Sequence, residues 1–328
     1  MLTDATTIRP FITMTDSNPS VLARLLDGLK AGLTRGLRGF FWLLKILAPI
    51  SLVTTLIQAS GWLSYLEGGL RPALKLISLP PEAVLPLVTG LFVGLYGGVA
   101  AMAVLPFSEG QMTLIAVFLL LSHNLVQEGI VQAKSGTSIA KITVVRLLAA
   151  VIAVWIVSRF VDSETVMAAA SLQSEAPENS LLLLMQRWLA SMAVLSAKML
   201  VIICGIMVAI ELMQRFRAQE YLVTVFSPLL RTMGLNREVG LLWVTAILFG
   251  VAYGGAVIVE EIRKQGLPAE AVEKLHLSIG INHAMIEDPA LFLPFGIHPL
   301  WLWGPRLVAA IAVVYLASAW FALKRRFS

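Results

Sequence analysis

Two segments of the chain each set a histidine and an acidic residue five positions apart inside an otherwise apolar stretch. Ser122-His123-Asn124-Leu125-Val126-Gln127-Glu128 returns as Asn282-His283-Ala284-Met285-Ile286-Glu287-Asp288, with His123 matching His283 and Glu128 matching Asp288 at an offset of 160 residues. Imidazole exchanges a proton near neutral pH and hydrogen-bonds a polar solute. A carboxylate in apolar surroundings is either held protonated or paired with a cation. Both fit proton- or sodium-linked cycling, so His123, Asn124, Glu128, Asn282, His283, Glu287 and Asp288 form the candidate substrate and ion site. The plainer alternative is that each histidine is a core residue donating to a carbonyl of the facing unit. One histidine with one or two carboxylates per unit lacks a diagnostic ligand spacing, so the spacing assigns no metal and no cofactor.

The elements that must position these residues are membrane spans. Of 328 residues 58% are hydrophobic and 14% charged, against about 25% charged in an average soluble domain. The mean hydropathy is +0.82. Ala83 to Ser108 and Val239 to Val259 carry no charge, and Ile46 to Leu66, Gly110 to Gln127 and Leu307 to Leu323 are equally clean, all near the roughly 20 residues that cross a bilayer. These features predict an all-α polytopic membrane protein. The single cysteine, Cys204, excludes an internal disulfide or a Cys-based metal cluster and leaves the redox compartment undetermined. The polar first twenty residues show no cleavable signal peptide, so targeting is expected to rest on the first span.

The repeat extends past the histidines. Pro72, Leu74, Lys75, Leu79, Glu82, Val88 and Thr89 match Pro228, Leu230, Arg231, Leu235, Glu238, Val244 and Thr245; Tyr96-Gly97-Gly98 matches Tyr253-Gly254-Gly255; and Arg146-Leu147 matches Arg306-Leu307. Collinear matches of this kind indicate an internal duplication. Each unit reads as an apolar helix, a Pro-containing amphipathic piece (62–79 and 219–235), an apolar run interrupted by Tyr-Gly-Gly, the histidine helix, and a helix opening near the repeated arginine. The expected divisions are 1–40, a polar N-terminus with an amphipathic interfacial helix; 41–160, the first unit; 161–187, an acidic external linker; and 188–328, the second unit.

Charge sets the orientation. Lys and Arg crowd the N-terminal helix, Lys134 and Lys141, Arg215 and Arg217, and the C-terminus, whereas the linker holds Asp162, Glu164, Glu175 and Glu178. By the positive-inside rule both termini are cytoplasmic, in a bacterial-type inner membrane, and the linker is outside. The net charge of +5 is thereby explained as topology, and no nucleic-acid partner is expected. The two units are then inverted, which requires an odd number of crossings in each. A re-entrant hairpin with Tyr96, Gly97 and Gly98, or Tyr253, Gly254 and Gly255, at its tip meets that requirement, because glycines permit a sharp turn and irregular backbone is tolerated where protein surrounds it. About six crossings and two hairpins result. Asp288 precedes Pro289, which disfavours helix there and predicts the break in the second histidine helix. Arg146 and Arg306 are expected near opposite membrane surfaces as a structural ion pair with Glu128 and Asp288 or as caps of the histidine helices. Glu260-Glu261 with Arg263-Lys264 reads as a solvated cluster after the second hairpin.

This order of elements, with its two Tyr-Gly-Gly runs, its His-Asn and Asn-His pairs beside acidic residues and its repeated arginines, resembles the Gate or nucleoside-recognition family of membrane proteins, which includes spore maturation proteins, over about residues 41 to 323. It is similar in architecture to concentrative nucleoside transporters. The resemblance implies a cation- or proton-coupled secondary transporter of a small polar solute, nucleoside-like by resemblance only, with the bilayer, the solute and a coupling proton or sodium ion as partners and a homo-oligomer permitted. It also permits two alternatives, a non-transporting scaffold for partner proteins and a divalent-metal permease. No phosphate-cradling loop, zinc-ligand spacing or nucleophile elbow is present, so no enzymatic activity is expected.

Overall fold

The computed structural model of the chain describes residues 20–62, 72, 74–161, 181–216, 218–233, 235 and 237–327, with side chains described except at 218–220, 223, 232, 237–238, 249 and 251–257. The N-terminal 19 residues, most of the first amphipathic piece and residues 162–180 of the linker lie outside the described residues. The described residues are helical and contain no strand. The chain is an all-α membrane protein, with five helical stretches long and apolar enough to cross a bilayer among the described residues.

In chain order the helices are α1 (Val21–Ala59), α2 (Val84–Phe92), α3 (Leu95–Met102), α4 (Glu109–Ser122), α5 (Leu125–Lys134), α6 (Ile139–Val157), α7 (Leu181–Arg215), α8 (Ala218–Thr232), α9 (Arg237–Gln265), α10 (Ala269–Ile281), α11 (Glu287–Ala290) and α12 (Pro299–Phe327). The sixth expected crossing falls on α10, whose 13 residues reach only about 20 Å at 1.5 Å per residue. α8 occupies the second amphipathic segment, as its Pro-containing pattern predicts.

The N-terminal stretch is not a separate interfacial helix. α1 is a single helix of 39 residues that runs antiparallel along α7, and the linker gives way to α7 already at Leu181. A stripe of glycines sets this contact. A Cβ on Gly28 would stand 2.6 Å from Leu212 Cδ2, one on Gly32 2.5 Å from Val208 Cα, and one on Gly36 2.7 Å from Cys204 Cα. Small residues four apart let two helix backbones approach closely, the usual basis of helix association where no hydrophobic drive exists between helices in lipid. Further along the same pair, Trp188 Nε1 donates to Ser51 Oγ at 3.1 Å, and Arg35 meets Glu211 at 2.9 Å. The leucines of this stretch, including Leu22, Leu26 and Leu33, point outward and are exposed.

α4 is the centre of the core. Ser108 accepts from the Gln111 backbone N–H and Gln111 returns a side-chain bond, a capping box that starts the helix. From Leu114 to Ser122 every residue is buried, as expected of a helix apolar on all sides. Around it pack α2, α3, α6, α10 and α12.

Candidate functional site

Both histidine helices break at the histidine. α4 ends at Ser122; His123 is extended, Asn124 takes a left-handed conformation with φ 53°, and α5 starts at Leu125. α10 ends at Ile281, Ala284 has φ 44°, and the short α11 opens at Glu287. The second break therefore precedes the position expected from Pro289, which sits third in α11. There, in the first helical turn, its missing N–H costs no hydrogen bond.

The hairpin runs break too, but not at Tyr-Gly-Gly. α2 and α3 meet across Gly94, with φ 127°, and fold back so closely that a Cβ on Gly98 would lie 3.0 Å from the Pro86 carbonyl oxygen. α9 is interrupted at Gly250, with φ 72° and ψ 169°. Tyr96, Gly97 and Gly98 lie in the helix that follows Gly94, and Tyr253, Gly254 and Gly255 in the helical arm that follows Gly250; none is the tip. A positive φ is what demands glycine, and it falls at Gly94 and Gly250, whereas Gly97 and Gly98 serve close packing. The side chain of Tyr253 lies outside the described residues.

In each unit the two breaks are joined. Asn124 N–H donates to the Gly90 carbonyl at 3.1 Å, and Ala284 N–H to the Ala246 carbonyl at 3.0 Å. A Cβ on Gly94 would meet Asn124 Oδ1 at 2.4 Å, and one on Gly250 would meet the Ala284 Cβ at 3.3 Å. Corresponding residues of the repeat thus make corresponding contacts.

Across the two units the histidine motifs come together. His123 Nε2 and His283 Nε2 are 3.3 Å apart. Glu128 Oε1 lies 3.4 Å from the first and 3.1 Å from the second, and Asp288 Oδ2 lies 3.5 and 3.7 Å from them. The four residues are buried. Each histidine places Nδ1 at 2.8 Å from the carbonyl four residues back in its own helix, Leu119 or Ile279, not a carbonyl of the facing unit. A carbonyl only accepts, so Nδ1 carries the hydrogen, and in the neutral ring Nε2 presents its lone pair to the centre.

The repeated arginines are buried at this centre rather than at opposite surfaces. Arg146 donates from Nε to the Leu121 carbonyl, from Nη2 to the His123 carbonyl at 2.7 Å and from Nη1 to Glu128 Oε2 at 2.8 Å. Arg306 donates from Nε and Nη2 to the carbonyls of Ile281 and His283. Each guanidinium therefore satisfies carbonyls left over where a histidine helix stops, a need every helix end has, and pairs with the carboxylate beyond the break. The pairing is unequal. Arg306 Nη2 is 3.8 Å from Asp288 Oδ2, and Arg306 Nη1 and Asp288 Oδ2 are buried without a hydrogen-bond partner among the described residues.

The other expected site residues stand outside the four-atom cluster. Glu287 accepts from the Tyr96 hydroxyl at 2.6 Å, which ties α3 to α11, and Tyr96 in turn packs edge-on against Trp42 of α1. Asn124 shapes the first break against Gly94. The Asn282 amide is fully buried and both its polar atoms lack hydrogen-bond partners among the described residues, as do those of Gln132 on α5. Gln132 Nε2 lies against Gly280, which also touches the Arg146 side chain. No motif drew attention to Gln132, an amide two residues before Lys134.

No protein-family profile matches the chain, and no solved structure matches it. An uncharacterized membrane protein of Bacillus subtilis (strain 168), YvoD, is 30% identical over 295 residues, covering 88% of this chain and 92% of its own length. A match of that extent spans both units and both histidine motifs, and the chain belongs to the same family of membrane proteins as YvoD.

Proposed function

We propose that this protein is a secondary transporter of the inner membrane in which two inverted units move a cation, coupled to a small polar solute, by alternating access. The observation that carries the reading is the meeting of His123, Glu128, His283 and Asp288, two from each unit, at one buried point beside four helix breaks. Ionisable groups at that depth are costly and, in membrane proteins, mark ion and substrate paths. Interrupted helices at matching positions of two repeats are the usual construction of a transporter site. The cluster takes the cation, since His123 Nε2, His283 Nε2 and Glu128 Oε1 lie within 3.4 Å of one another and enclose a point rather than a solute-sized space. The solute belongs on the Tyr96 and Glu287 side, where a hydroxyl and a carboxylate from different units bridge the interface. The Gate-type resemblance implies a nucleoside-like solute, and the Lys and Arg distribution supports cytoplasmic termini.

Solid-supported-membrane electrophysiology on proteoliposomes tests this with a panel of nucleosides, nucleobases and small polar metabolites under proton, sodium and divalent-cation gradients. Wild-type protein gives transient currents with at least one combination, and Glu128→Gln together with Asp288→Asn abolishes them. Currents that survive the double substitution overturn the assignment.

A non-transporting scaffold is the second reading, favoured by the complete Glu128 to Arg146 pair. It leaves Asp288 Oδ2, Arg306 Nη1 and both Asn282 amide atoms without a role. A scaffold gives no current under any gradient.

A further inference from the structure

The central cluster is built as a ligand set for one particular kind of cation. Three acceptor atoms, His123 Nε2, His283 Nε2 and Glu128 Oε1, converge on one point with separations of 3.3, 3.4 and 3.1 Å, and Asp288 Oδ2 flanks the two imidazoles at 3.5 and 3.7 Å. Ligand atoms about 2.0–2.2 Å from a tetrahedrally coordinated ion stand about 3.3–3.6 Å from one another. The separations among His123, His283 and Glu128 lie at or just under that range.

Each ligand is also oriented from behind. The Nδ1–H of both rings is committed to a main-chain carbonyl at 2.8 Å, which sets the tautomer that leaves Nε2 free to coordinate; metal-bound histidines are held in this manner. Arg146 takes Oε2 of Glu128 at 2.8 Å and turns Oε1 toward the centre as a single donor. Asp288 Oδ2 is buried, has no hydrogen-bond partner among the described residues, and points into the same space. Lone pairs of two imidazoles facing each other at 3.3 Å beside two carboxylate oxygens repel unless positive charge lies between them.

The donor set selects the ion. Two imidazole nitrogens and a carboxylate oxygen suit zinc, iron(II), manganese(II) and similar first-row divalent ions. Calcium takes six to eight oxygens and magnesium demands octahedral oxygen with retained water. Copper(I) wants thiolates, and the single cysteine, Cys204, lies against Gly36 in the contact of α1 with α7. The two arginines offset the two carboxylate charges, which weakens the hold on a divalent ion and makes it releasable. We infer that His123, Glu128 and His283 form a four-coordinate site, with its fourth position open beside Asp288, for a first-row divalent transition-metal ion shared between the two units. This rests on reading the cluster as the cation site of the carrier.

The test uses full-length protein purified in detergent and stripped with a chelator. Isothermal titration with Zn²⁺ gives one site per chain, titration with Co²⁺ gives the intense visible absorption of tetrahedral rather than octahedral cobalt, and Mg²⁺ and Ca²⁺ give no heat. Binding weakens by about 100-fold in His283→Gln and by about 10-fold in Asp288→Asn, whose carboxylate flanks the ion. Both variants are checked for folding by size-exclusion elution, and Asp288→Asn is the gentler because its Oδ2 accepts no hydrogen bond. No heat with Zn²⁺ or Co²⁺, an octahedral cobalt spectrum, or unchanged affinity in the folded variants overturns the metal site. If the metal fails while the electrical currents remain, the cluster carries protons or sodium and the carrier reading survives. If the metal binds and no current is found, the site stands and the carrier reading falls.

Discussion

Glu128 and Asp288 occupy equivalent places in the repeat, yet they differ by one methylene, and the structure converts that difference into unequal pairing. Glu128 reaches Arg146 at 2.8 Å, whereas Asp288 stays 3.8 Å from Arg306. Removing one partner of a tight buried pair strands the other charge and costs about 3–5 kcal/mol. Glu128→Gln is therefore expected to destabilise the protein by about that amount, and Asp288→Asn by about a third of it, since Arg306 keeps its carbonyl bonds. Denaturant unfolding in detergent measures both; equal losses would contradict the asymmetry. Adding Arg146→Met to Glu128→Gln removes the stranded charge but also the bonds to the Leu121 and His123 carbonyls, so the double variant should stay well below wild type in stability.

At the scale of elements, two kinds of glycine have different duties. Gly94 and Gly250 break helices, and Gly94 does so where any side chain would strike Asn124. Gly94→Ala combines backbone strain with that collision and is expected to cost about 1–3 kcal/mol; it would also displace the His123 break and so reduce any transport current more than Gly250→Ala, whose neighbour is a lone methyl at 3.3 Å. Gly28, Gly32 and Gly36 join helices. A Cβ at Gly32 meets the Val208 backbone, whereas one at Gly28 meets the movable end of Leu212. Gly32→Ala should therefore lower the melting temperature clearly more than Gly28→Ala. Comparable shifts would mean that the α1 and α7 backbones yield freely. Reading residues 1–40 as carrying an amphipathic interfacial helix hid the glycine stripe, because hydrophobicity marks what leaves water and says nothing of which face meets a second helix.

For the whole molecule, the proposed inversion fixes which ends share a side of the membrane. In a Cys204→Ala background, cysteines placed at Val21 and Arg326 should react with an impermeant maleimide only from the cytoplasmic side, and one at Phe160 only from the outside of spheroplasts. Val21 and Phe160 are well exposed, so access is decided by the membrane and not by packing. Reaction of Phe160→Cys and Arg326→Cys from one side would end the inverted arrangement.

Composition and local order alone determined the helical membrane class, and the internal sequence correspondence drew out seven polar residues of which four meet at the centre, because apolar span length and residue-by-residue correspondence are local properties of a chain. Asn124 at positive φ, the capping of two helix ends by Arg146 and Arg306, and the use of Gly94 rather than Gly97 and Gly98 for the turn were decided by tertiary structure. Each depends on a partner far away in the chain. The same is true of the ligand geometry. Within one unit a histidine and a carboxylate five residues apart have no metal-binding spacing, and only the approach of the second unit, 160 residues on, brings the two imidazoles to 3.3 Å.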